Sequence, residues 1–239
     1  MSDHGPPVDP TPRDRALSAL QGLTGIVPAI GPILANLISQ IIPEQRWERI
    51  GEYLRKLESR VAEVEAQTLA SALREPRKVD LFEDGAVQAV RALSSERLEY
   101  IAALVARGLT AGERDAIEAK RLLKLLDEID DDQVVTLRSK LQRHRRSEEF
   151  HERHGEVLAP VGAHLGSPRE DLDRQAMYRL ARRQLVDLGL LHQTFRRPKK
   201  GELPEFDEKT GMIKSHGTSL SPLGRLLLRR IGLAEEDEF

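Results

Sequence analysis

EQRWERIGEYLRKLESRVAEVEAQTLASAL, residues 44–73, is the stretch on which the reading of the fold turns. Trp47, Ile50, Leu54, Leu57, Val61 and Val64 recur at spacings of 3, 4, 3, 4 and 3. Steps of three and four residues return an α-helix to nearly the same face, so all six lie on one apolar stripe. A stripe like this must be covered by other helices, which predicts a helix over 44–73 inside a bundle. A similar pattern predicts a helix over 83–107, with Val87, Val90, Leu98, Ile101 and Val105 as core. TAGERDAIEAKRLLKLLDEI, residues 110–129, opens with Thr110 and Glu113 at capping-box spacing. Its expected core residues are Ile117, Leu122, Leu125 and Leu126. A further helix is expected from DDDQVVTLRSKL, residues 130–141, where the acids suit the positive end of the helix dipole. Together these make an antiparallel helical bundle.

Composition agrees. The chain has 239 residues, is 32% charged and only 4% aromatic. Straight-chain and Ala-rich sequences lose little on entering a helix. The absence of cysteine excludes disulfides, thiolate metal sites and thiol catalysis. The N-terminus lacks the basic leader and small-residue cleavage site of a secretory signal, so a cytoplasmic location is expected. Residues 1–136 carry 17 Lys+Arg against 23 Asp+Glu, whereas residues 137–232 carry 20 against 12. That asymmetry suggests two modules with different partners. The expected division is a disordered leader over 1–13, a helical bundle over 14–147, a terminal module over 148–232 and an acidic tail over 233–239.

Upstream of the first helix, residues 16–43 carry no charge. Pro28 and Pro32 break the run into a short piece and a helix from about Ile30 to Ile42. Three roles remain open for Leu23, Ile26, Val27, Ile30, Ile33, Leu34, Leu37, Ile38 and Ile41. They form a core helix of the bundle, a segment that inserts into a membrane on activation, or a face for a protein partner or a second copy.

The character changes toward the C-terminus. LVDLGLL (185–191) closes a helix, HQTF (192–195) reads as a strand, and DEKTGMIKSHGTSL (207–220) reads as a turn and a returning strand. SPLGRLLLRRIG (221–232) opens a last helix, with Ser221 as cap and Pro222 in its first turn. This order resembles the end of a winged-helix domain over roughly residues 168–232, with its first helix expected within 133–165. The resulting fold class is mainly α: a helical bundle with a C-terminal winged-helix-like module holding one β-hairpin.

The cations of this module are Arg174, Arg179, Arg182 and Arg183 on the helix, and Arg196, Arg197, Lys199, Lys200, Lys209 and Lys214 in the hairpin. A basic helix and wing form the usual footprint for DNA phosphates. The four arginines do not all share one face, and base-reading side chains are limited to Gln175 and Gln184, so phosphate contact is favoured over sequence readout.

Catalytic patterns are missing. His151 and His154 in HERHG stand three apart, where a zinc-protease helix needs four. DEIDDD (127–132) lacks the glycine and terminal glutamate of a calcium loop. No phosphate-binding loop, dinucleotide fingerprint or nucleophile elbow occurs. No enzyme activity, cofactor or metal is expected.

In layout, with an apolar Gly/Pro-broken N-terminus, a helical bundle and an ending built on LVDLGLL and LSPLGRLLL, the chain resembles the abortive-infection alpha family of bacterial phage-defence proteins. A fainter likeness is to HeLo-type cell-death domains. The resemblance implies a non-enzymatic defence or growth-arrest effector. Its leader would act on a membrane or partner protein, its basic module would sense or tether, and self-association is expected. The alternatives are a DNA-binding regulator with a helical dimerisation domain and a protein-binding adaptor. No active residue is carried over.

Overall fold

The structure is a computed structural model that describes residues 11, 14, 18, 46–159, 162–164, 166–207 and 211–235. The leader 16–43, apart from Ser18, lies outside the described residues. So do Lys209 and most of the expected disordered segment 1–13. Among the described residues the chain is mainly helical with one antiparallel hairpin. It divides into two compact units, Met1–Asp127 and Glu128–Phe239.

The first unit contains α1 (Trp47–Val61), α2 (Ala66–Ala72), α3 (Pro76–Arg91), α4 (Ser95–Thr110) and α5 (Glu113–Asp127). α4 is the centre: α1, α2, α3 and α5 all pack on it. Its sequence permits this, because Leu98, Ile101, Ala102, Leu104, Val105, Ala106 and Leu109 bury nearly every side of the helix. Small residues allow close approach. A Cβ on Gly108 would fall 2.2 Å from a Leu81 methyl and 3.0 Å from Ala119 Cβ. The seam of α1 is buried as expected through Trp47, Ile50, Leu54, Leu57 and Val61.

Four details differ from the sequence expectations. The helix expected over 44–73 stops at Val61 and restarts at Ala66. A continuous seam would next have presented Thr68 and Ser71 to the core. The turn at 62–65 resets the phase, so Leu69, Ala72 and Leu73 are buried instead. The helix expected over 83–107 is two helices: α3 starts earlier, at Pro76, and α4 starts after Ser94, whose hydroxyl accepts from Arg97 N at 3.0 Å. Thr110 does not cap α5; it ends α4 and donates its hydroxyl to Ala106 O at 2.9 Å. Ile117 is exposed and Leu125 half-buried, and α5 packs through Ala116, Ala119, Leu122, Leu123 and Leu126.

The second unit contains α6 (Asp131–Arg138), the short helices α7 (Gln142–Arg145), α8 (Glu148–Arg153) and α9 (Gly155–Leu158), then α10 (Arg169–Asp187), β1 (Leu191–Phe195), β2 (Ser215–Leu220) and α11 (Pro222–Arg230). The acidic start of α6 is a capping box: Gln133 N donates to Asp130 Oδ1 at 2.7 Å, and Asp130 N donates to Gln133 Oε1 at 2.9 Å. α6 packs on both α10 and α11. Gln133 Nε2 donates to Ala181 O at 2.9 Å and Gln184 Nε2 to Glu128 O at 2.7 Å. These bonds tie 128–138 to the terminal helices, which is why the division falls at 127/128 and not at 147.

The hairpin pairs Leu191 with Leu220 at its base and Phe195 with Ser215 at its far end, with an irregularity at Thr194/Phe195. Only the base is buried. α10 ends in a Schellman turn. Gly189, at φ +71°, donates to Val186 O, and Leu190 N donates to Leu185 O. The base is then locked to α11. Ser221 Oγ donates to Gly189 O at 2.6 Å and accepts from Gly224 N at 2.9 Å, while Ser221 N donates to Leu190 O at 3.1 Å. Gly224 sits so close that a Cβ there would lie 2.3 Å from Leu190 O.

Candidate functional site

The basic face of the second unit is built by α10 and the hairpin, and its cations do not form one surface. Arg182 is turned inward: its guanidinium donates to Tyr178 Oη at 2.6 Å and to Thr218 Oγ1 at 3.1 Å. It also lies over the Tyr178 ring, 5.3 Å from the centroid. Tyr178 Oη in turn donates to Leu158 O at 3.0 Å. Arg182 is therefore a tie between helix and strand. Arg174 lies 3.7 Å from the half-buried Asp171, and Arg183 lies 3.6 Å from Asp187 as an exposed pair of little energetic weight. Arg179 is exposed without a side-chain partner among the described residues.

In the hairpin, Arg196 pairs with Glu205 at 3.2 Å, and His216 lies 3.6 Å from the same carboxylate. Arg197, Lys199, Lys200 and Lys214 are exposed and carry no side-chain partner among the described residues. Thus, among the described residues, the wing holds four cations without a side-chain partner and the helix two, Arg169 and Arg179.

Sequence reasoning missed what the outward face of α10 carries instead. Of its nineteen residues only Leu185 is fully buried. Leu172, Met177 and Leu180 are 43%, 64% and 57% exposed. Placed at 100° per residue, they share one face with Ala176, Asp173, Arg179 and Arg183. The signal was present in the weak amphipathicity of 169–187, which reads as an ordinary solvated helix until its partners are known. Phe195, Phe206 and Ile213 add exposed apolar surface on the hairpin.

The remaining polar candidates have local roles. His151 Nδ1 lies 2.8 Å from Ser147 O, and His154 packs against the Phe150 ring with centroids 4.7 Å apart. Burial and the neighbouring Arg138 and Arg153 hold His154 below the usual imidazole range. Asp132 is raised by burial and by Asp130 and Asp131. Among the described residues no group of three or more His, Asp or Glu is placed to hold a metal, and no helix is long and apolar enough to cross a membrane. The predicted leader residues, Leu23 to Ile41, are outside the described residues. No protein-family model, curated protein or solved structure matches the chain.

Proposed function

We propose that the chain is a non-enzymatic effector of bacterial phage defence or growth arrest that works by docking. Its uncharged leader acts on a membrane or a partner protein, and its terminal module self-associates and tethers. The observation that carries the docking role is the outward face of α10, where Leu172, Met177 and Leu180 stand in solvent beside charges of both signs. That face complements itself. Asp173 and Arg183 are equally spaced about Tyr178, so two α10 helices paired antiparallel bring the aspartate of one copy against the arginine of the other.

Sedimentation velocity over a concentration series tests this. Wild type is expected to self-associate, and Leu172→Asp with Met177→Asp to remain monomeric with an unchanged circular dichroism spectrum. A monomeric wild type, or an unchanged association constant in the variant, refutes it. The defence setting rests on the resemblance in layout. It predicts that Ile33→Asp with Leu37→Asp abolishes both phage restriction in cells and leakage of anionic liposomes.

A DNA-binding regulator is the second reading, favoured by Arg197, Lys199, Lys200 and Lys214 on the exposed wing. Each phosphate contact contributes about 0.9 to the slope of log affinity against log salt. Lys199→Ala with Lys200→Ala is then expected to flatten that slope by about 1.8. No shift of duplex DNA at low salt removes this reading.

A further inference from the structure

Within the second unit, the end of α6, the short helices α7 to α9, α10 and the hairpin enclose a cavity of about 550 Å³. That volume falls in the range of small-molecule sites, roughly 300–1,000 Å³, and is too small to admit a nucleic-acid duplex. Its charge is one-sided. Lys140, Arg145, Arg182 and Arg225 line it, together with His216 and the Thr218 hydroxyl, and among the described residues no aspartate or glutamate does.

Like charges gathered in a concave space are costly unless something answers them. Lys140 is half-buried and has no side-chain partner among the described residues. Burial, then the charges of Arg182 and Arg145, hold its ammonium below the usual lysine range. Arg182 is pre-positioned: Tyr178 and Thr218 fix its guanidinium before any ligand arrives. A fixed fork, an under-solvated ammonium and nearby hydroxyls are the donor set that a phosphate's oxygens match.

We infer that this cavity binds a phosphorylated small molecule of nucleotide size, with its phosphates on Lys140, Arg145 and Arg182. The site gives the sensing role of the module a ligand class. It is tested by binding alone, so its failure is distinguishable from failure of the self-association or leader readings. The cations come from the turn after α6, from α7, from α10 and from the start of α11, so the site forms only in the folded unit.

The experiment is isothermal titration of the full chain at low salt with ATP, pyrophosphate and adenosine. ATP and pyrophosphate are expected to bind and adenosine not to. Lys140→Met and Arg145→Gln are each expected to weaken binding about tenfold or more, while Lys199→Ala with Lys200→Ala on the wing leaves it unchanged. Arg145 is exposed, so Arg145→Gln carries the test even if a change at Lys140 disturbs packing. Three outcomes overturn the inference: no binding of either phosphate probe, affinities unaffected by both cavity variants, or loss only in the wing variant. A short single-stranded oligonucleotide that binds more tightly than ATP and depends on the wing rather than the cavity also overturns it.

Discussion

Gly108 on α4 offers the sharpest test of the first unit. A methyl group at that position would sit 2.2 Å from Leu81 Cδ2 and 3.0 Å from Ala119 Cβ, so it is pinched between α3 and α5. Carbon atoms in contact prefer about 3.5–4.0 Å, leaving a shortfall of roughly 1.5 Å against Leu81. Leu81 is fully buried and cannot swing into solvent. Overpacking of this kind costs about 1–3 kcal/mol, and the pinch from two helices puts Gly108→Ala at the upper end. Higher helix propensity of alanine returns about 1 kcal/mol. The expected net loss is therefore about 2 kcal/mol, against about 2–5 kcal/mol for Leu81→Ala alone. In the double variant the new methyl fills part of the space that Leu81 leaves. The losses should then fall short of additive by about 1–2 kcal/mol, well outside the roughly 0.5 kcal/mol scatter of independent sites. Urea unfolding followed by fluorescence of the lone tryptophan, Trp47, reports on this unit because Trp47 is buried in α1. A stabilised Gly108→Ala, or strictly additive losses, refutes the close-approach reasoning.

Other consequences are as specific. The Tyr53 hydroxyl is buried without a hydrogen-bond partner among the described residues, and burial pushes its phenol well above the usual tyrosine range. Tyr53→Phe is therefore expected to stabilise the unit by about 1 kcal/mol in the same urea assay. Burial of Glu99 would raise its pKa, but hydrogen bonds from Lys56 at 3.0 Å and Arg60 at 2.9 Å outweigh that and hold it below the ordinary value of 4.5. A depressed carboxylate stabilises above its unfolded pKa, so the stability gap between wild type and Glu99→Gln should be full near neutrality and close as pH falls below about 4.5. Lys140 has the opposite sign: its charge is disfavoured in the fold, so Lys140→Met should be more stable than wild type at pH 7, with the gain fading as pH rises toward 10.5. Ser94→Ala removes the cap of α4 and should cost about 1 kcal/mol.

Periodicity and capping chemistry made much of the fold legible. The α1 seam, the acidic cap at Asp130, the strand after Gly189 and the Ser221–Pro222 helix start could all be read locally, because each is decided by residues a few positions apart. The breaks at 62–65 and 92–94 were harder. No glycine or proline marks them; what decides them is which side chains reach the core, as with Leu69 winning over Thr68. Ser94 was a local signal that the apolar repeat of 83–107 concealed. The orientation of Arg182 was not legible at all, since its partner Thr218 lies 36 residues away. The same holds for the cavity, whose cations are dispersed along the chain from Lys140 to Arg225.

The joint between the α10 turn and α11 has a consequence for how this architecture can vary. Ser221 and Gly224 grip the backbone of Gly189 and Leu190, so LVDLGLL and LSPLGR are matched halves of one clasp. Whatever runs between them leaves and returns through a closed ring that holds without its help. Residues 196–214 can thus be lengthened, recharged or exchanged while the neighbouring helices keep their places, and evolution can retune what the arm touches without rebuilding the shoulder.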